Sequence, residues 1–143
     1  MSNDAVPPRE LTNRLSVCPQ ISPDDVPALQ EMGFGTIICN RPDGEASDQP
    51  KSNDIQQTCT AEGMEFHYIP VVPGQFAEQQ LAQFTSALAT SEKPVLAYCR
   101  TGTRSATLWA LSEAGKQPTK QIIANAANAG YDLSKLAGYL GRE

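Results

Sequence analysis

Much of what would place this chain in a membrane, on nucleic acid or around a metal is missing from it. No stretch of its 143 residues approaches the roughly 20 consecutive apolar residues of a membrane-spanning helix. Basic residues are few: 11 Lys and Arg against 16 Asp and Glu, for a net charge of −5. A nucleic-acid binder normally shows a basic face, so that class is set aside. The four cysteines, Cys18, Cys39, Cys59 and Cys99, are widely spaced with no C-x-x-C pair, which argues against a zinc site. No metal and no organic cofactor is expected. Met1 to Pro8 is polar and proline-rich and has no apolar signal-peptide core. The expectation is therefore a cytoplasmic protein with reduced thiols. Internal repeats and low-complexity segments are also absent.

What is present suits one globular domain over residues 1–143, with 1–13 as a loose lead-in. Hydrophobic residues make up 40% and charged residues 19%, enough apolar material for a core in a chain of this length. Strand and helix signals alternate. Leu15-Ser16-Val17-Cys18 reads as a first strand. Ser22-Pro23-Asp24-Asp25 reads as a helix start, because Ser caps, Pro fits the first turn and acids suit its positive end. Thr36-Ile37-Ile38-Cys39 is a short β-branched run, read as a buried strand. A helix is expected over about 51–62, a strand over Phe66 to Val71 ending at Pro70, and a helix over 79–89. Val95 to Tyr98 is the next strand. Helices follow from Ser105 to Glu113, from Pro118 to Ala127, and over 133–140. This alternation predicts an α/β fold with a mainly parallel central sheet and helices on both faces. Ligands bind such sheets outside the carboxyl ends of the strands, where the loops after Cys39, Val71 and Tyr98 should converge.

The segment Pro94-Val95-Leu96-Ala97-Tyr98-Cys99-Arg100-Thr101-Gly102-Thr103-Arg104-Ser105 concentrates the chemistry. An apolar strand feeds a cysteine, then a loop with one glycine and two arginines, then a helix. Backbone N–H groups at a helix start point outward with partial positive charge. A turned loop adds further donors, making a nest for an oxyanion. Arg104 can supply a bidentate fork. The same positive field favours the Cys99 thiolate, the nucleophilic form. The expected ligand is a tetrahedral oxyanion on phosphorus or sulfur, contacted by Arg100, Thr101, Gly102 and Thr103. A core cysteine beside a solvated turn is the competing reading, and the joint presence of Gly, two Arg and the strand-to-helix position weighs against it.

These residues resemble a known family. Ile37-Ile38-Cys39-Asn40-Arg41-Pro42-Asp43-Gly44-Glu45, Gln49-Pro50, Pro94 to Ser105, Leu108-Trp109-Ala110-Leu111 and Ala129-Gly130-Tyr131-Asp132-Leu133 are similar to the phosphatase-like domain of beta-lactamase-hydrolase-like proteins. The resemblance runs from about Leu15 onward. It implies a fold like the dual-specificity branch of the protein tyrosine phosphatases, with Cys99 as nucleophile and Arg104 as the oxyanion-binding arginine. Family members have been described both as phosphatases and as sulfurtransferases.

Two departures from the broader phosphatase pattern bear on the reaction. That pattern is Cys, five residues, Arg, whereas Cys99 and Arg104 enclose four. The form Cys-Arg-x-Gly-x-Arg resembles rhodanese loops, which carry a persulfide. The dual-specificity pattern also places a general-acid Asp shortly after a strand ending in Ile-Pro. Here Ile69-Pro70-Val71-Val72-Pro73-Gly74-Gln75-Phe76 holds no acid before Glu78. Asp43 and Glu45 are the candidate substitutes, with turn-shaping as their ordinary alternative. Ser105 is expected to cap the helix and to hydrogen-bond Cys99, assisting its departure as thiolate. Arg41 is a candidate substrate contact or a solvated loop charge, and Arg100 a pocket-rim cation or the same. Cys39 reads as core more readily than as a resolving thiol. His67 and Trp109 read as structural.

The leading expectation is a cysteine-dependent phosphatase-type hydrolase. A sulfurtransferase carrying a Cys99 persulfide is the alternative, and a non-catalytic oxyanion-binding module the third. The substrate bears a phosphate or sulfur oxyanion. Nucleic acid and membrane are not expected partners, and no protein partner is named.

Overall fold

A computed structural model describes residues 7–140. Its strands are β1 (Arg9–Thr12), β2 (Leu15–Cys18), β3 (Thr36–Cys39), β4 (Glu65–Tyr68) and β5 (Val95–Tyr98). They form one sheet in the order β1-β2-β5-β3-β4. β1 runs antiparallel to β2, and the remaining pairings are parallel. The helices are α1 (Val26–Glu31), α2 (Ser52–Ala61), α3 (Glu78–Thr90), α4 (Thr103–Glu113), α5 (Thr119–Asn128) and α6 (Ala137–Leu140). The expected α/β architecture is the one observed. No helix among the described residues is long and apolar enough to cross a membrane.

Every residue of β2, β3 and β5 is buried, as parallel strands covered on both faces require. Alternation along each strand divides their side chains between two cores. Val17, Ile38, Val95 and Ala97 pack with Phe84 of α3, Leu108 and Trp109 of α4 and Ile122 of α5. Cys18, Ile37, Cys39, Leu96 and Tyr98 pack on the other face with Leu29 of α1 and Ile55 of α2. Trp109 is core, as its position behind the loop suggested.

The order of the strands positions the site. The chain runs from β2 through α1 to β3, outward through α2 to β4, then back through α3 to β5 between β2 and β3. That reversal makes β5 the switch point, where loops on either side diverge and leave a crevice. Cys18, Tyr98, Cys39 and Tyr68 stand in register at the carboxyl edge. The loops after four strands therefore begin at one level.

Three expectations need correction. Residues 9–12, read as part of a loose lead-in, form edge strand β1, tied through Arg9↔Val17 and Glu10↔Ser16. Backbone pairing with β2 holds a segment whose own composition carries little strand signal. Residues 1–6 of that lead-in lie outside the described residues. The strand expected over Phe66 to Val71 ends at Tyr68, because Pro70 has no N–H for the ladder. The Ile69 and Val71 N–H groups still donate to the Cys39 and Asn40 carbonyls. Finally, α4 starts at Thr103 rather than Ser105, and Gly102 is its N-cap.

Candidate functional site

Cys99 directly follows β5, and its side chain is fully buried. The chain then turns at Gly102 into α4, and the Gly102 N–H donates to Cys99 Sγ at 3.0 Å. Gly102 has φ of 96°, a left-handed conformation that side-chain-bearing residues rarely adopt. A Cβ there would overlap the Tyr131 hydroxyl and lie 2.8 Å from the ring carbon that bears it. Tyr131 is placed to do this because its O–H donates to the Thr101 carbonyl at 3.3 Å. The turn is also tied by a 3.1 Å hydrogen bond between the Thr101 and Thr103 hydroxyls. Arg100, Thr101 and Thr103 are exposed at the rim. A buried sulfur thus faces a backbone donor at the head of an eleven-residue helix, where the helix dipole favours negative charge.

Arg104 lies in the first turn of α4. Its Nη1 donates to Glu45 Oε2 and to the Val71 carbonyl, both at 2.8 Å. Its Nη2 donates to Glu45 Oε1 at 2.8 Å. Glu45 Oε1 also accepts from Arg41 Nε at 3.1 Å. These contacts hold the Glu45 carboxyl below its ordinary range, chiefly through the Arg104 hydrogen bonds and then through Arg41. The same pairing raises Arg104 above its usual value. Glu45 is therefore an engaged anion, which is the wrong protonation state for a general acid.

The other sequence candidates are placed with equal definition. Asp43 accepts from the Ser52 N–H at 2.8 Å and the Ser52 hydroxyl at 2.7 Å. It serves the start of α2, a role carboxylates fill at helix N-termini. Arg41, a candidate substrate contact, is 5% exposed and held between Glu45 and Gln20 Oε1, the latter at 3.0 Å. It is neither solvated nor at the rim. Ser105, expected to cap α4 and to bond Cys99, sits inside the helix, and its hydroxyl donates to Asn40 Oδ1 at 2.9 Å. The cap passes to Gly102 because only a residue tolerating positive φ fits that turn.

The other three thiols are buried among apolar side chains. Desolvation raises Cys18 to about 12 and Cys39 and Cys59 each to about 11. All three stay protonated at neutral pH and are poor nucleophiles. Cys39 donates its S–H to the Arg41 carbonyl at 3.2 Å.

Sequence reasoning missed Asn40, Gln20 and the Val71 carbonyl. Asn40 is fully buried. Its amide donates to the Ile69 carbonyl at 2.9 Å while its oxygen takes Ser105, so it joins the loops after β3 and β4 to the first turn of α4. A polar residue closing the apolar run Thr36–Cys39 was the available signal. Gln20 and the Val71 carbonyl left no such trace.

A buried thiol thus lies at the head of a helix, just past the end of the central strand of a sheet that is parallel except for β1 at its edge, the α/β architecture of a phosphatase-like domain. The chain belongs to the family of the phosphatase-like domain of beta-lactamase hydrolase-like proteins, whose model matches residues 8–116. It is 31% identical over 136 residues to the beta-lactamase hydrolase-like protein of Xylella fastidiosa, covering 94% of this chain and 32% of that one. The namesake from Agrobacterium fabrum is 34% identical over 135 residues, covering 93% and 31%. The chain thus spans about a third of the length of these curated relatives. A Neisseria meningitidis crystal structure, that of a candidate phosphatase, matches with a TM-score of 0.84 and 36% identity over 93% of this chain and 95% of that one. Kinase associated phosphatase, crystallised with its catalytic-site cysteine replaced by serine, shares the fold. It has a TM-score of 0.69 and 18% identity, over 88% of this chain and 83% of that one.

Proposed function

We propose that this chain is a cysteine-dependent phosphatase-type hydrolase. The observation that carries this reading is the 3.0 Å hydrogen bond from the Gly102 N–H to Cys99 Sγ, at the head of a helix whose first turn holds Arg104. A donor aimed at sulfur stabilises a thiolate. The Cys99 thiolate attacks phosphorus, the P–O bond to the leaving group breaks, and a phosphocysteine forms. Water then attacks phosphorus, the P–S bond breaks, and the thiolate returns. Arg104 and the N–H groups of the Arg100–Ser105 loop other than that of Gly102, which is on the sulfur, hold the non-bridging oxygens where charge builds. Asp43 and Glu45 are both engaged elsewhere, so the leaving group departs as its own anion. Aryl phosphates are therefore preferred over alkyl phosphates, for which a general acid contributes about 10²–10⁴-fold.

The same engagement of both acids favours a second reading, in which Cys99 carries a persulfide. The thiolate attacks the sulfane sulfur of thiosulfate, sulfite leaves as an anion without a proton donor, and the sulfur passes to cyanide or a thiol. A paired assay on one sample separates the two, using p-nitrophenyl phosphate hydrolysis and thiosulfate-to-cyanide transfer with Cys99→Ser as the blank. Cys99-dependent p-nitrophenol release supports the hydrolase. Cys99-dependent thiocyanate without it replaces the hydrolase with a sulfurtransferase. Phosphate binding that survives Cys99→Ser, with neither product formed by the parent, points to a binding module.

A further inference from the structure

Arg104 has five N–H donors in a fixed planar fork. Three are accounted for: both on Nη1, to Glu45 and Val71, and one on Nη2, to Glu45. The two that remain are Nε–H and the second Nη2 proton, which have no protein acceptor among the described residues. In a planar guanidinium these two lie parallel on the side edge, the arrangement that takes two oxygens of one oxyanion. Glu45 thus occupies the end edge and leaves the side edge as the only intact pair.

Glu45 is itself held. Arg41 donates to Glu45 Oε1 at 3.1 Å and to Gln20 Oε1 at 3.0 Å. The Gln20 N–H donates to the Arg100 carbonyl at 3.3 Å. The connections form a circuit from Arg104 through Glu45, Arg41 and Gln20 to Arg100, bracing the Cys99 loop at both ends. Arg41 is buried, and a buried cation persists only where its partners are in place. A cradle of four residues between Cys99 and Arg104 has little backbone of its own to define the arginine's approach, and the circuit supplies that definition from two neighbouring loops.

We propose that Glu45, Arg41 and Gln20 are positioning residues that hold Arg104 with its Nε and Nη2 edge presented to the oxyanion. This rests on the oxyanion-site reading of the Cys99 loop, and the test keeps the two apart. Inorganic phosphate is titrated against iodoacetamide alkylation of Cys99, giving a protection constant that requires no turnover. It is measured in the parent and in Glu45→Gln, Arg41→Met and Gln20→Leu, with melting temperature as the check on folding. Turnover of p-nitrophenyl phosphate is measured alongside.

Protection is expected to weaken about tenfold to a hundredfold in Glu45→Gln and less in the two outer variants, the scale of a misplaced binding group. In an Arg104→Lys background, Glu45→Gln should weaken it no further, because residues acting through one another are non-additive. A merely structural role would lower the melting temperature and leave this coupling at zero. Unchanged protection in Glu45→Gln, Arg41→Met and Gln20→Leu, additive effects with Arg104→Lys, or no protection of the parent overturns the proposal. Should one variant fail to fold, the other two decide. Protection that behaves as expected in a parent without turnover sinks the hydrolase and leaves the positioning circuit standing.

Discussion

Two loops leave adjacent strands at the same edge of the sheet and end up with opposite chemistry. The loop after β5 has one buried sulfur facing a backbone donor, three exposed rim residues and an arginine with an unengaged edge. The loop after β3 carries Arg41, Asp43 and Glu45, and all three charges are matched internally by hydrogen bonds of 3.1 Å or less. In sequence the second loop looks the richer in catalytic groups, with two carboxylates and a guanidinium within five residues. In three dimensions its charged groups are engaged with protein partners, and the proposed function makes the first loop the working surface. Reactive groups at such a site are those left without protein partners while everything near them is tied down.

The sharpest way to break that contrast is to remove the fork from the working loop. Arg104→Lys keeps the charge and loses the paired donors. Turnover should fall by about 10²–10³, the effect of losing one oxyanion-hole donor. Steady-state kinetics on p-nitrophenyl phosphate or thiosulfate, whichever the parent turns over, provides the reading, and parental activity in this variant would remove Arg104 from the role. Next in size is the turn itself. Gly102→Ala forces a side chain into positive φ and into the Tyr131 hydroxyl, so stability should drop by about 1–3 kcal/mol. Thermal unfolding reports it. Adding Tyr131→Phe should return part of the loss by removing the overlapped oxygen, and no recovery would assign the loss to backbone strain and the ring carbons instead.

The supporting loop should respond differently. Asp43→Ala removes the acceptor for both Ser52 donors and should cost about 1 kcal/mol of stability, as lost helix-start acceptors do. The alkaline limb of the pH–rate profile, where a general acid would lose its proton, should not move, and a loss of that limb would make Asp43 the displaced general acid. The smallest effect is a pH dependence. Glu45 titrates lower in the folded chain than its ordinary value of about 4.3. Its ion pair with Arg104 and Arg41 therefore contributes fully above that ordinary value and fades as pH falls through the lowered one. Denaturant unfolding from pH 6 downward should show a slope over that window, and Glu45→Gln should flatten it. An identical slope in both proteins would assign the acid sensitivity to other carboxylates. A group about a quarter exposed gives only a modest signal.

The same division marks what was legible in advance. Hydrophobic runs bounded by turn residues reveal strands and helices because burial is written locally, in side-chain type and spacing. That is why β2, β3, β5 and the helices behind them could be read, and why Cys99 and Arg104 stood out from one continuous segment. β1 could not be read, since Arg9–Thr12 is a strand only by pairing with β2. The start of α4 was misplaced by two residues because Gly102 caps through backbone conformation, with no polar side chain to announce it.

By itself, then, the sequence determined the α/β class, the thiol, the arginine that follows it and the edge of the sheet where they lie, because each rests on neighbours in the chain. The tertiary structure alone decided which charges remain available. Glu45 reaches Arg104 across 59 residues and Asn40 reaches Ser105 across 65, distances over which residue spacing carries no information about hydrogen bonding. A carboxylate in the right loop can be an acid, a helix-start acceptor or an ion-pair partner, and the order β2-β5-β3-β4 brings Asp43 to Ser52 and Glu45 to Arg104.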